Sequence, residues 1–200
     1  MTENGWMAFS ILIAAIFTDN ILLTNYLGMC SFLSVSKEIK TATGLGTAVV
    51  FVMTCTTVIN WLVYYYILMP LDLGYLYFIV FIVVIAAFVQ LVEMIVERVS
   101  EPLYYSLGIF LPLITVNCAI LGACLFMIIR NYGFLSSLAY GFGAGVGWAL
   151  AITCMAGIRE KMAKVKGKIP KGLEGAGITL IIAGIMALAF IGFSGTMNIR

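Results

Sequence analysis

Long apolar runs, broken by short polar clusters, set the pattern of this chain. A helix needs about 20 mostly apolar residues to cross the hydrocarbon core of a bilayer. Six runs approach or exceed that length: Trp6 to about Leu33, Thr47 to Leu68 (closed by Pro70), Tyr75 to Val96, Leu103 to Ile129, Leu135 to Gly157, and Ala176 to Phe193. The pattern predicts an all-α integral membrane protein of six transmembrane helices. The connections are short, so residues 1–200 read as a single transmembrane domain with no room for a soluble catalytic module.

The runs also hint at an internal repeat. Thr24-Asn25 leads to Cys30, and Gly44-Leu45-Gly46 follows at the start of a helix; Thr115-Val116-Asn117 leads to Cys118, and Gly141-Phe142-Gly143 follows inside one. Three spans per half is an odd number, so two such halves, about 1–96 and 97–200, are inverted relative to each other. The first and fourth helices are expected to be discontinuous. The first run is longer than one straight crossing needs and carries Asp19, Asn20, Asn25 and Gly28. The fourth holds Pro112, which removes a helix hydrogen bond, then Thr115 and Asn117 just before Cys118. Irregular backbone survives at membrane depth only where protein or a cavity covers it. Cys30 and Cys118 are therefore expected at broken segments facing the interior; the plainer alternative is a proline kink and two core thiols.

Composition and charge sharpen this picture. Hydrophobic residues make up 63% of the chain and charged residues 10%, against about 25% charged in soluble domains; mean hydropathy is +1.12. Histidine is absent, which excludes His-based acid–base catalysis and His metal ligands. The start, MTENGW, lacks the basic region of a secretory signal. Lys37, Lys40, Arg98, Arg159, Lys161, Lys164, Lys166, Lys168 and Lys171 fall in loops on one side, whereas the other side has only Arg130 and Arg200. Basic loops stay cytoplasmic, so both termini are expected on the outer side. Contact of the last basic loop with anionic lipid is a minor addition.

Few residues are left that could carry chemistry. Five cysteines, an odd number inside apolar runs, argue against a disulfide framework. Cys30 and Cys118 hold equivalent places in the two halves, and a pseudo-two-fold axis would bring them together. Two thiolates do not complete a zinc or iron–sulfur site, which needs about four ligands. With no histidine, the natural completion is two further cysteines from a second, similar subunit. Cys55, Cys124 and Cys154 read as core fillers. Glu93 lies inside the third span, on one face with Gln90 and Glu97. An intramembrane carboxylate is a functional candidate by default; the alternative is snorkelling or a pair with Arg98. Asp19 counts to about mid-span beside Asn20, and the pair either satisfies loose backbone at the break or lines an ion path. Trp61 and Tyr64 to Tyr66 suit an interfacial belt. Gly141, Gly143, Gly145 and Gly147 form a small-residue ridge for close packing; no strand precedes them, so they are no dinucleotide fingerprint.

With these motifs the chain resembles the homologous membrane subunits of the Rnf and Na+-translocating NADH:quinone reductase (Nqr) complexes. The stretches that carry the likeness are LGMCSFLSVSKEIKTATGLG (27–46), VQLVEMIVERVSEPLYYSLGIFLPLITVNCAILG (89–122), YGFGAGVGWALAITCMAGIREKM (140–162) and GITLIIAGIMALAFIGFSG (177–195). Together they reach nearly end to end. MCSF after Leu27-Gly28 and the GVGWALAI block are nearer to the Nqr side of the family than to the Rnf side, which usually has a proline after that cysteine. The resemblance implies six spans in inverted halves, a multi-pass place in the bacterial inner membrane, and pairing with a homologous, NqrD-like subunit inside a six-subunit complex. It implies a [2Fe–2S] cluster shared by the pair, with Cys30 and Cys118 matching this chain's two ligands. It implies electron relay between flavins on opposite membrane faces, from NADH towards quinone, coupled to outward Na+ movement. Glu93 matches the family's intramembrane acidic position for cation transfer, and Asp19 stays a second candidate for a cation path. The NADH, FAD, FMN, riboflavin and ubiquinone sites belong to other subunits, and nothing points to nucleic acid. Two other readings stand beside this one. The first is an Rnf-type subunit that exchanges electrons between ferredoxin and NAD+. The second is a secondary transporter using Glu93, built on inverted repeats and broken helices; a purely structural scaffold would leave the cysteine pair without a purpose.

Overall fold

A chain this apolar must satisfy its backbone N–H and C=O groups internally, and helices do that within one segment. The computed structural model describes residues 5–99, 111–164 and 175–194, and these are helical with no strand among them. In chain order they are α1 (Gly5–Phe17), α2 (Met29–Val35), α3 (Ile39–Val63), α4 (Tyr77–Val99), α5 (Leu111–Thr115), α6 (Cys118–Ile129), α7 (Phe134–Lys164) and α8 (Ala176–Ser194). A π-turn, Tyr64–Leu68, prolongs α3, and a 3-10 turn, Gly74–Leu76, opens α4. Three helical segments are long and apolar enough to cross a membrane: Ile39–Leu68, Gly74–Ile95 and Phe134–Lys164. The other three expected spans contain shorter apolar helical stretches, Gly5–Phe17, Leu113–Ile129 (interrupted at Val116 and Asn117) and Ala176–Gly192. Residues 103–110 of the fourth run, Glu101, Lys166, Lys168, Lys171 and Arg200 lie outside the described residues.

Two helices outrun the apolar runs that predicted them. α3 begins at Ile39 rather than Thr47, and α7 continues past Gly157 to Lys164. Hydropathy marks the apolar slab, but a helix needs no lipid to continue, because its hydrogen bonds are its own. Both breaks exist. Between α1 and α2 the chain makes irregular turns from Thr18 to Gly28. Between α5 and α6 the break falls at Val116 and Asn117, not at Pro112.

The core forms around α7, which packs between α1 and α3. The glycine ridge explains how. A Cβ on Gly143 would meet Leu12 O at 2.8 Å, and one on Gly147 would meet Ala15 O at 2.9 Å, so this i, i+4 pair faces α1. A Cβ on Gly141 would strike Thr57, and one on Gly145 would meet Val50 Cα at 2.9 Å. That second pair faces α3, and Ala149 continues its row against Gly46. Two interleaved small-xxx-small seams thus let α7 approach two helices at backbone contact. Trp148, Ala151, Ile152, Met155 and Ala156 continue the buried side. Trp61, expected in an interfacial belt, stacks near Tyr65 and Phe134 and donates its indole N–H to Tyr132 O at 3.1 Å.

Candidate functional site: two cysteines at two helix starts

The first break is built by its own polar side chains. Asn20 is fully buried, and its Oδ1 accepts from Leu22 N and Leu23 N. Its Nδ2 donates to Gly147 O at 2.8 Å and to Ile16 O at 3.2 Å. One amide therefore caps the end of α1, folds the following turn and ties both to α7. Of the two roles open to the Asp19-Asn20 pair, Asn20 takes the one of satisfying loose backbone. The chain then reaches Gly28 in the left-handed region, φ +86°, a conformation that costs a residue with a Cβ. Gly28 starts α2, so Cys30 lies in its first turn.

The second break ends at Asn117, whose Oδ1 accepts from Ala119 N at 3.1 Å as the N-cap of α6. Cys118 is the first residue of that helix. The two helix starts meet: Gly28 N–H donates to Cys118 Sγ at 2.9 Å, across 90 residues of chain. Both Cys30 and Cys118 are exposed on the chain's surface. They do not point into the chain's interior as expected; they face away from it. Among the described residues no group of three or more His, Cys, Asp or Glu converges to hold a metal ion. Among the described residues the chain thus offers two sulfur donors at neighbouring helix starts.

The wall behind this site is tight and polar. A Cβ on Gly28 would lie 2.6 Å from Trp148 Nε1, 3.0 Å from Asn117 Oδ1 and 3.1 Å from Ala119 Cβ. Trp148 and Asn117 are buried, and Trp148 Nε1 and Asn117 Nδ2 have no hydrogen-bond partner among the described residues. On the far side Arg159 of α7 donates to Leu33 O at 3.0 Å and to Ser36 Oγ at 2.8 Å. A guanidinium there meets the carbonyl end of α2 and complements its dipole. The sequence pattern marks Arg159 only as loop charge, because its acceptors lie more than 120 residues away in the chain.

The remaining cysteines differ. Cys124 is a core filler: it is buried and accepts from Asn60 Nδ2 at 3.2 Å. Cys55 is half-buried. Cys154 is exposed, which corrects its reading as a core thiol; Ala151, Ile152, Met155 and Ala156 take the buried side of that turn.

The two carboxylate candidates are not part of the cysteine pair. Asp19 sits in the turn after α1, where it forms an ion pair with Arg130 and accepts from Asn25 Nδ2 at 3.3 Å. Arg130, at the end of α6, also lies over the rings of Phe126 and Tyr140, 5.5 Å from each centroid. The Asp19 charge is thus met by a guanidinium. Glu93 is half-buried on α4, one turn beyond Val89 in the row that begins with buried Phe81 and Ile85. Among the described residues it forms no ion pair, with Arg98 or any other cation. Gln90 on the adjacent row and Glu97, one turn further along the same row, are exposed.

Comparison with known proteins fits this arrangement. The family described as "Rnf-Nqr subunit, membrane protein" matches residues 8–197. A curated relative from Dichelobacter nodosus (strain VCS1703A), one of the subunits of its Na(+)-translocating NADH-quinone reductase, is 54% identical over 197 residues, covering 93% of this chain and 96% of the relative. With the match running nearly end to end through both helix breaks and both cysteines, the chain belongs to the Rnf-Nqr family of membrane subunits.

Proposed function

We propose that this chain is a membrane subunit of a redox-driven Na+ pump of the NADH:quinone oxidoreductase type, and that it supplies half of an intramembrane iron–sulfur centre. The observation that carries this reading is the pair of exposed thiols, Cys30 and Cys118, at helix starts joined by the Gly28 N–H to Cys118 Sγ bond. Thiolate sulfur is the donor that iron–sulfur centres take, and a backbone N–H aimed at sulfur suits a negatively charged ligand. Two thiols facing outward fit a centre completed by two cysteines of a homologous, NqrD-like partner. A [2Fe–2S] cluster bound there would supply one-electron transfer between flavins held by other subunits.

This chain's own residues do the holding. Asn117 and Gly28 set the two helix starts, and Arg159 fastens the far end of α2. Glu93, half-buried and without a counter-cation among the described residues, is the cation-path candidate. Asp19, neutralised by Arg130, suits that role less. Lys37, Lys40, Arg98, Arg159, Lys161 and Lys164 support the orientation, with both termini on the outer face of the inner membrane. The subunit has no complete active site of its own; NADH and quinone chemistry would belong to its neighbours in a six-subunit complex.

The test uses the assembled complex. Iron and acid-labile sulfide are assayed, and the electron paramagnetic resonance spectrum of the reduced sample is recorded, for wild type, Cys30→Ala, Cys118→Ala and Cys154→Ala. Loss of one centre in the first two variants and its retention in the third is expected. Equal iron in all four samples would refute the half-centre, and a transporter built around Glu93 would then explain the broken helices better.

A further inference from the structure

We infer that Cys30 and Cys118 are unequal ligands, and that the iron bound by Cys118 is the one on which the transferred electron comes to rest. The inference rests on the iron–sulfur reading and deepens it. Its starting point is a bond that only one of the two thiols receives. The Gly28 N–H donates to Cys118 Sγ at 2.9 Å. Among the described residues no hydrogen bond ends on Cys30 Sγ; the one that Cys30 accepts, from Ser34 Oγ at 3.1 Å, falls on its backbone oxygen.

The donor is held in place from several sides. Gly28 is buried at φ +86°, with Trp148 Nε1, Asn117 Oδ1 and Ala119 Cβ against the place where a Cβ would stand. Its own carbonyl accepts from Ser31 Oγ at 3.0 Å and from Phe32 N at 3.1 Å. The peptide is thus fastened into the first turn of α2, and its N–H keeps one direction.

The helices add a second inequality. Cys118 opens α6, a helix of 12 residues whose start is capped by Asn117 Oδ1. Cys30 lies in α2, a helix of 7 residues without a side-chain cap. A helix start carries positive potential, and the longer, capped helix brings more of it to its first residue. Both effects act on the same charge. Reduction adds one electron and turns one ferric iron ferrous; no bond forms or breaks, and no proton moves. The electron comes from a reduced flavin of the complex and passes on to an oxidised one. An N–H aimed at a ligand sulfur favours the added negative charge, and a dry surrounding magnifies the effect. One charge-assisted hydrogen bond biases the electron about tenfold towards the iron behind that sulfur.

The assembled complex tests this with Cys30→Ser and Cys118→Ser. Serine keeps a ligand atom but replaces soft sulfur with hard oxygen, which favours ferric over ferrous iron. The penalty is largest on the iron that takes the electron. Midpoints are measured by following the reduced paramagnetic signal at a series of fixed potentials, with iron and sulfide assayed in parallel. At the wild-type midpoint the ratio of reduced to oxidised centre should fall in both variants, and about tenfold further in Cys118→Ser than in Cys30→Ser. Equal falls, or a larger fall in Cys30→Ser, overturn the inference. A second measurement needs no variant. Wild-type complex is grown with glycine carrying the heavy nitrogen isotope, and the nitrogen couplings of the reduced signal are read by pulsed paramagnetic resonance. The coupling pattern is expected to change with the label. A pattern indifferent to it overturns the inference even where the serine variants hold no iron. Absence of the signal from wild type overturns the half-centre itself, a different failure.

Discussion

Gly28→Ala is the sharpest single perturbation of the site. At φ +86° an L-residue crowds its own carbonyl, which costs about 1–2 kcal/mol. The new Cβ would also stand 2.6 Å from Trp148 Nε1, 3.0 Å from Asn117 Oδ1 and 3.1 Å from Ala119 Cβ. All three neighbours are packed in the core, and overfilling such a space costs about 1–3 kcal/mol. Together the two effects amount to about 2–5 kcal/mol, a large share of the stability of most folded proteins. The clash also pushes the Gly28 N–H away from Cys118 Sγ, so the loss should reach the two cysteines. The control is Gly44→Ala: no atom lies within 4 Å of its would-be Cβ, and alanine gains about 0.5–1 kcal/mol within a helix. The assay is thermal unfolding of the purified complex, with iron content measured on the same samples. Gly28→Ala should unfold earlier and hold less iron, while Gly44→Ala should match or exceed wild type in both. A Gly28→Ala protein as stable and as iron-rich as wild type would refute the account of this wall.

Other perturbations follow from the same contacts. Gly141→Ala forces α7 off Thr57 and should cost about 1–3 kcal/mol, whereas Gly157→Ala, with open space around it, should be neutral in the same unfolding assay. Asp19→Asn leaves the Arg130 guanidinium without its counterion and should cost about 1–3 kcal/mol. Adding Arg130→Gln should recover part of that loss in a double-mutant cycle, while a loss of Na+ dependence with full stability would return Asp19 to the cation path. Arg159→Gln removes a charge-assisted pair of bonds to Leu33 O and Ser36 Oγ and should cost about 1–2 kcal/mol, read as earlier unfolding. Glu93→Gln should raise the Na+ concentration needed for half-maximal quinone reduction by the complex while iron content stays at the wild-type level; an unchanged Na+ dependence would remove Glu93 from the path.

Hydrophobic patterning alone determined a great deal here. The helical class, the location of the six apolar segments and the two helix breaks are local properties. Run length and polar side chains at membrane depth write them directly into the chain. Small residues at i, i+4 spacing likewise announced a close-packed helix, because that spacing has few other uses in an apolar segment. Cys30 and Cys118 could be singled out by their matching surroundings. What the pattern could not supply was partnership. Asp19 counts as a lone carboxylate until folding sets Arg130 beside it. Arg159 looks like loop charge until its acceptors appear at the end of α2. Cys154 looks buried by hydropathy, yet faces outward because α7 turns Met155 and Ala156 to the core instead. The wall of Trp148 and Asn117 behind Gly28 joins three segments far apart in sequence. Local pattern follows from steric and solvation rules that act over a few residues, whereas a charge pair, a capped helix end or a paired thiol depends on which faces meet, and that is decided only when α7 threads its two glycine seams between α1 and α3.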